Sequence, residues 1–159
     1  MTIREIRPED DPLLARAIRD VLIEMNVPKK GTAYEDAALD QMYETYQSPK
    51  SVYYVVSDES GSIYGGAGIA PLMNYEGNVC ELQKMYFLPQ VRGKGIGRKM
   101  IETCLQAARE FGFDQCYIET MPNMKTAQQL YLNNGFHYID QPMGDTGHSS
   151  CPVWLLKDL

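Results

Sequence analysis

Between Gln90 and Arg98 the chain reads Gln-Val-Arg-Gly-Lys-Gly-Ile-Gly-Arg, with glycines at alternate positions 93, 95 and 97. Glycine has no Cβ, so it enters backbone conformations that strain other residues and lets a ligand approach the main chain. The apolar residues that follow have helical period: Ile96, Met100, Cys104, Ala107 and Phe111, with Ile101, Leu105 and Ala108 beside them. A helix opening from a glycine turn points unpaired N–H groups and the positive end of its dipole outward. That is an anion site, and phosphate is the usual anion. Arg92, Lys94, Arg98 and Lys99 gather positive charge there, in a chain whose formal net charge is −6. Two phosphate patterns are excluded by residue type. The dinucleotide fingerprint needs a third glycine where Arg98 stands, and the P-loop pattern is absent.

Proton chemistry has its own candidates. Glu81 precedes Met85 by four residues and Phe87 by six, which on a regular strand puts all three on one face. Partial burial there raises a carboxyl pKa toward a useful value. Glu119, on the strand over 115–120, is the rival, and His148 lies in a late polar loop. Cys80, Cys104, Cys116 and Cys151 are far apart, form no C-x-x-C pair, and have only two histidines to join them. No metal site is expected, and the cysteines read as small buried residues in a reducing cytosol. None is placed as a nucleophile.

Around these residues the sequence lays out alternating elements. Thr2–Arg7 reads as a strand, closed by Pro8. An acidic start at Glu9–Asp11 with Pro12 opens a helix to about Asn26. A second helix is expected over Tyr34–Tyr46, with Leu39, Met42, Tyr43 and Tyr46 on one side. Ser51–Ser57 and Ser62–Leu72 form a hairpin around Asp58–Gly61, and Glu81–Phe87 continues the meander. The long helix ends at Gly112. Gln115–Thr120 then runs parallel to Glu81–Phe87, because a helix joins them. A shorter helix from Pro122 carries Ala127, Leu130 and Tyr131, and the strands Phe136–Ile139 and Pro152–Leu156 complete the order β-α-α-β-β-β-α-β-α-β-β.

Composition bounds the class. The 159 residues, 44% hydrophobic and 23% charged, suit one globular domain spanning 1–159. The acidic balance disfavours nucleic acid, and no apolar run is long enough for a membrane span. The charged N-terminus lacks a signal-peptide core, so a cytoplasmic location is expected.

Three segments together resemble the GNAT superfamily of N-acetyltransferases. They are ELQKMYFLPQVRGKGIGRKM, the strand YIET, and AQQLYLNNGF, which is similar to the family's A-x-x-L-Y-x-x-x-G-F box at Ala127, Leu130, Tyr131, Gly135 and Phe136. The turn matches the family's [QR]-x-x-G-x-[GA] signature twice, at Gln90/Gly93/Gly95 and at Arg92/Gly95/Gly97. The resemblance implies the GNAT fold: an α/β (α+β) mixed sheet, mostly antiparallel, with the fourth and fifth strands parallel and splayed, and helices on both faces. It implies acetyl-CoA as co-substrate. The pantetheine arm would pair with the main chain at Met85 and Phe87, and the pyrophosphate would sit on Arg92, Gly93, Lys94, Gly95, Ile96, Gly97 and Arg98. Tyr131 matches the tyrosine near the coenzyme A sulfur. Glu81 matches the position of a catalytic glutamate, with Glu119 or water as alternative bases. Asn123 stands one residue before Met124, where the family often has its pantetheine-binding asparagine. Glu119, Tyr34 and His148, with Lys30, are the acceptor-side candidates. The implied activity is transfer of acetyl to a primary amine of a small molecule or peptide by direct attack in a ternary complex. The alternative is a non-catalytic coenzyme A sensor or pseudoenzyme. Expected partners are acetyl-CoA, an amine acceptor and, at most, a second copy in a homodimer.

Overall fold

A computed structural model describes residues 1–159. Seven strands form a single sheet in the order β1-β2-β3-β4-β5-β7-β6. They are β1 (Thr2–Glu5), β2 (Val52–Ser57), β3 (Ile63–Pro71), β4 (Val79–Phe87), β5 (Gln115–Thr120), β6 (His137–Ile139) and β7 (Val153–Asp158). All neighbours pair antiparallel except β4 and β5. Four helices accompany the sheet: α1 (Asp11–Glu24), α2 (Met42–Thr45), α3 (Ile96–Glu110) and α4 (Lys125–Asn133).

The apolar stripes read from the sequence bury on opposite faces of the sheet. Leu14, Ile18 and Leu22 of α1 pack with Leu39, Met42, Tyr53 and Val55. Met100, Ile101, Cys104 and Leu105 of α3 pack with Val56, Ile69, Leu82 and Ile118. Small residues in β3 make the α1 side possible. A Cβ on Gly66 would lie 2.2 Å from the Tyr54 carbonyl oxygen, and one on Gly68 2.6 Å from the Tyr53 ring.

The parallel pairing of β4 with β5 is brief. Val79, Cys80 and Glu81 pair with Gln115, Cys116 and Tyr117. Beyond that point both strands continue, but β5 pairs only with β7, through Thr120 opposite Val153. The sheet therefore opens between them, as the resemblance implied.

Two expectations are corrected. The helix over Tyr34–Tyr46 is broken into 3-10 turns at Ala33–Glu35 and Ala37–Asp40, followed by the single-turn α2. Asp36 leaves the helical region (φ −59°, ψ 119°), and its carboxylate is held by Lys84 and His148. Tyr43 donates its N–H to the Asp11 carboxylate at 2.9 Å. Tertiary partners override local helix propensity here. The second correction concerns β4. Gly68 faces Gln83 and Gly66 faces Tyr86, so Ala67 alone spans Lys84 and Met85. This is a β-bulge, with Lys84 at φ +50°, and it reverses the alternation of side chains. Met85 and Phe87 pack on the α3 side, whereas Gln83, the same-face neighbour of Glu81, reaches Tyr46 on the α1 side. Glu81 therefore does not share a face with Met85 and Phe87.

Candidate active site

Glu81 sits where the β4–β5 ladder stops, and it is 3% exposed. One carboxylate oxygen accepts a hydrogen bond from Gln83 Nε2 at 2.7 Å, and Gln83 Oε1 accepts from the Tyr46 hydroxyl at 2.5 Å. Burial pushes the Glu81 carboxyl up to about 7. The Gln83 hydrogen bond opposes this, the nearby charge of Glu119 adds to it, and His148 and Lys84 hold it back.

Glu119 comes from β5. Its carboxylate accepts from the Tyr117 hydroxyl at 2.8 Å and from the Thr146 hydroxyl. His148 arrives on the loop between β6 and β7, and its Nε2 lies 2.9 Å from Asp36. Burial disfavours the imidazolium, but the hydrogen bond and charge of Asp36, with Glu81 adding, hold His148 above its ordinary pKa. Lys84 Nζ lies 3.3 Å from the same Asp36 carboxylate, with its side chain 8% exposed. Glu81, Glu119 and His148 each place a donor atom within 4.8 Å of the others. That spacing would suit a small cation, but Glu119 is committed to two hydroxyls and His148 to Asp36. No hydrogen bond joins the three to one another; each is held by its own neighbours, Gln83, the Tyr117 and Thr146 hydroxyls, and Asp36.

Tyr131 lies on the other face, in the α3 cluster, with its ring 6.1 Å from that of Phe136. Burial raises its phenol well above the ordinary value. The hydroxyls of Tyr46, Tyr53 and Tyr117 each donate to a protein group, while that of Tyr131 has no protein partner. Glu81 and Tyr131 thus lie on opposite sides of the sheet.

The glycine turn fits a phosphate ligand. Gly93 and Gly95 adopt φ +72° and +79°, and a Cβ on either would meet nothing within 4 Å. Their main chain faces open space at the start of α3, where unpaired N–H groups gather. Gly97 has a different task, since a Cβ there would lie 2.7 Å from Leu130 Cδ2. It lets α3 and α4 pack closely.

A family model described as "Acetyltransferase (GNAT) family" matches residues 17–136. The chain belongs to the GNAT family of acetyltransferases. It is 44% identical over 158 residues to the uncharacterized N-acetyltransferase YjgM of Escherichia coli K12, covering 99% of this chain and 94% of that protein. Among solved structures, a GNAT acetyltransferase from Staphylococcus aureus Mu50 superposes with TM-score 0.88 at 21% identity, over 99% of this chain and 98% of that one. A GNAT phosphinothricin acetyltransferase from Sinorhizobium meliloti, solved with acetyl-CoA, gives 0.73 at 22% identity, over 99% and 88%. These structures share the GNAT fold. The chain is an N-acetyltransferase, and its family uses acetyl-CoA.

Within this GNAT frame, the residues singled out from sequence fall into two groups. Glu81, Glu119 and His148 converge. Several side chains expected at the coenzyme are engaged within the protein. Arg92 donates from Nε to the Phe87 carbonyl at 2.8 Å and pairs with Glu24 through both terminal nitrogens, at 2.9 and 2.7 Å. Lys94 bonds the Gln90 carbonyl, and Arg98 pairs with Glu102. Asn123 donates to the Met25 carbonyl at 2.6 Å. Ile96 opens α3 as its first residue. Tyr34 lies under two cations, Lys29 at 5.3 Å and Arg19 at 5.8 Å from its ring centroid. Lys30 contributes only its carbonyl, to Ser150. A surface depression lined by Ile3, Tyr54, Ile96, Lys99 and Thr103 contains none of Glu81, Glu119 and His148.

Sequence reasoning missed Asp36, Lys84, Gln83 and Thr146. Gln83 had a signal: two residues from Glu81 on a strand, it shares that face. Asp36 had none, since its partners are 48 and 112 residues away in sequence.

Proposed function

We propose that this enzyme transfers acetyl from acetyl-CoA to a primary amine of a small molecule or peptide by direct attack in a ternary complex. Glu81 is the base and Tyr131 the proton donor to sulfur. The observation that carries the reading is Glu81 itself: a carboxyl raised to about 7, nearly dry, at the mouth of the β4–β5 opening.

At neutral pH an amine of pKa about 10.4 is an ammonium without a free lone pair. A base whose pKa lies near the working pH is best suited to remove the proton. Glu81 meets that requirement, directly or through one water. The nitrogen–carbon bond forms as the carbon–sulfur bond breaks. One ammonium proton leaves through Glu81 to solvent, and the second balances the proton that Tyr131 gives to sulfur. Burial keeps Tyr131 protonated until then. The acidic pair Glu81 and Glu119 also favours a cationic acceptor. Acetyl-CoA supplies the activated thioester. The strand edge at Met85 and Phe87 and the amides of Gly93, Gly95 and Gly97 are the groups that would hold it.

The test is thiol release from acetyl-CoA over a panel of primary amines, including peptide lysines, followed by pH profiles of kcat/KM for an accepted amine. Glu81→Gln should abolish the acidic limb, whereas Glu119→Gln should keep it. A limb retained in the first and lost in the second moves the role of base to Glu119. If no amine raises thiol release above hydrolysis, the primary-amine reading fails.

A further inference from the structure

Asp36 is the point at which three chain segments meet. It lies between the turns Ala33–Glu35 and Ala37–Asp40, yet its side chain makes no cap hydrogen bond to the turn it precedes. The carboxylate goes instead to His148 Nε2 on the β6–β7 loop, at 2.9 Å, and to Lys84 Nζ at the β4 bulge, at 3.3 Å. The His148 side chain is 16% exposed and that of Lys84 is 8% exposed. Two cations are thus brought nearly out of water beside Glu81, and Asp36 is the group that holds both.

We propose that Asp36 is a positioning residue for Glu81: it fixes His148 as an imidazolium beside the Glu81 carboxylate and pins Lys84 at the bulge, keeping Glu81 ionisable in a nearly dry site. Its catalytic meaning rests on the reading of Glu81 as the base; its physical content does not.

The charges around Glu81 decide the sign. Burial and Glu119 oppose its ionisation; His148, Lys84 and the Gln83 hydrogen bond favour it. Tyr46, just after α2, and Tyr86 on β4 are raised by burial and stay neutral. On β5, Tyr117 is raised by burial, and Cys116 by its hydrogen bond with Cys80 and by burial. Cys151, near His148, is pushed up to about 12 by burial. His148 itself is faced by Asp36, Glu81 and Lys84. Asp36→Asn removes the partner that keeps His148 charged, so the imidazole pKa falls and a favourable charge beside Glu81 is lost. The Glu81 pKa then rises. Direct loss of a negative charge at 36 would move Glu81 the other way, so the direction of the shift separates positioning from plain electrostatics.

The chain has only His137 and His148, which makes imidazole 15N NMR titration simple to assign with His148→Gln. Carboxyl 13C titration, with Glu81→Gln identifying the resonance, follows Glu81. In Asp36→Asn the His148 midpoint should move down and that of Glu81 up. His148→Gln should move Glu81 up as well, and the double variant should add little to either single one. Asp36→Glu should restore the wild-type midpoints in part. A Glu81 midpoint that is unmoved or lower in Asp36→Asn, or equal shifts that sum in the double variant, overturns the proposal. If the Asn variant does not fold, His148→Gln and Asp36→Glu carry the same test. Should the midpoint move while the acidic limb of kcat/KM stays in place, Asp36 keeps its role and the reading of Glu81 as the base fails instead.

Discussion

Replacing Glu81 by Gln should lower turnover and, above neutral pH, make the protein more stable. Folding raises the Glu81 carboxyl from an ordinary 4.5 to about 7. Between those values the unfolded chain has lost a proton that the folded chain keeps, so wild-type stability falls as pH rises. At about 1.4 kcal/mol per pKa unit the full loss is about 3 kcal/mol. It is absent below pH 4.5 and complete above about 7. Gln cannot ionise, and its carbonyl can still accept from Gln83 Nε2, as Glu81 Oε1 does at 2.7 Å. The difference in unfolding free energy between Glu81→Gln and wild type should therefore grow by about 3 kcal/mol from acid to pH 8, an order-of-magnitude figure. Urea unfolding of both proteins at a series of pH values, with equal slopes, measures it. A difference that does not change with pH would mean that Glu81 is hydrated in solution, and the case for it as a tuned base would collapse.

Tyr131→Phe removes a hydroxyl without a protein partner, so thermal stability and coenzyme binding should be nearly unchanged, while turnover falls roughly tenfold to a thousandfold; equal turnover under chemistry-limited conditions reduces Tyr131 to a packing residue. Gly95→Asp places a carboxylate at the glycine turn and should weaken coenzyme A binding at least tenfold, on the order of 1.4 kcal/mol. Gly95→Asn, which tolerates φ +79° without the charge, is its control. Calorimetry showing unchanged affinity in folded Gly95→Asp displaces the phosphate site from this turn.

What the sequence made legible follows from how local each signal is. The glycine turn and the stripe of α3 are written in contiguous residues, and the structure has both the positive-φ turn and the buried helix face there. The parallel pairing of β4 and β5 followed from the helix between them. The break at Asp36 was not legible, because Ala33–Met42 has ordinary helix formers and the interruption comes from Lys84 and His148, distant in sequence. The bulge at Lys84 escaped for a similar reason. Lysine does not announce a positive φ, and a single added residue inverted the face assigned to Met85 and Phe87. Glu81 and Gln83 keep the face that alternation gives them, whereas Met85 and Phe87 beyond the bulge do not. The side-chain partners of Arg92 and Asn123, on or just beyond α1 at Glu24 and the Met25 carbonyl, were not legible, because such cross-chain bonds leave no local pattern.

The Lys84 bulge makes one strand into two half-strands with independent audiences. Upstream, Glu81 and Gln83 answer to the layer that contains Tyr46; downstream, Met85 and Phe87 answer to the layer that contains α3. A substitution in the first half changes the surroundings of Tyr46 and leaves the packing of the second half against α3 in place. A phase change of one residue thereby gives positions of like parity on a single strand two separate packing environments.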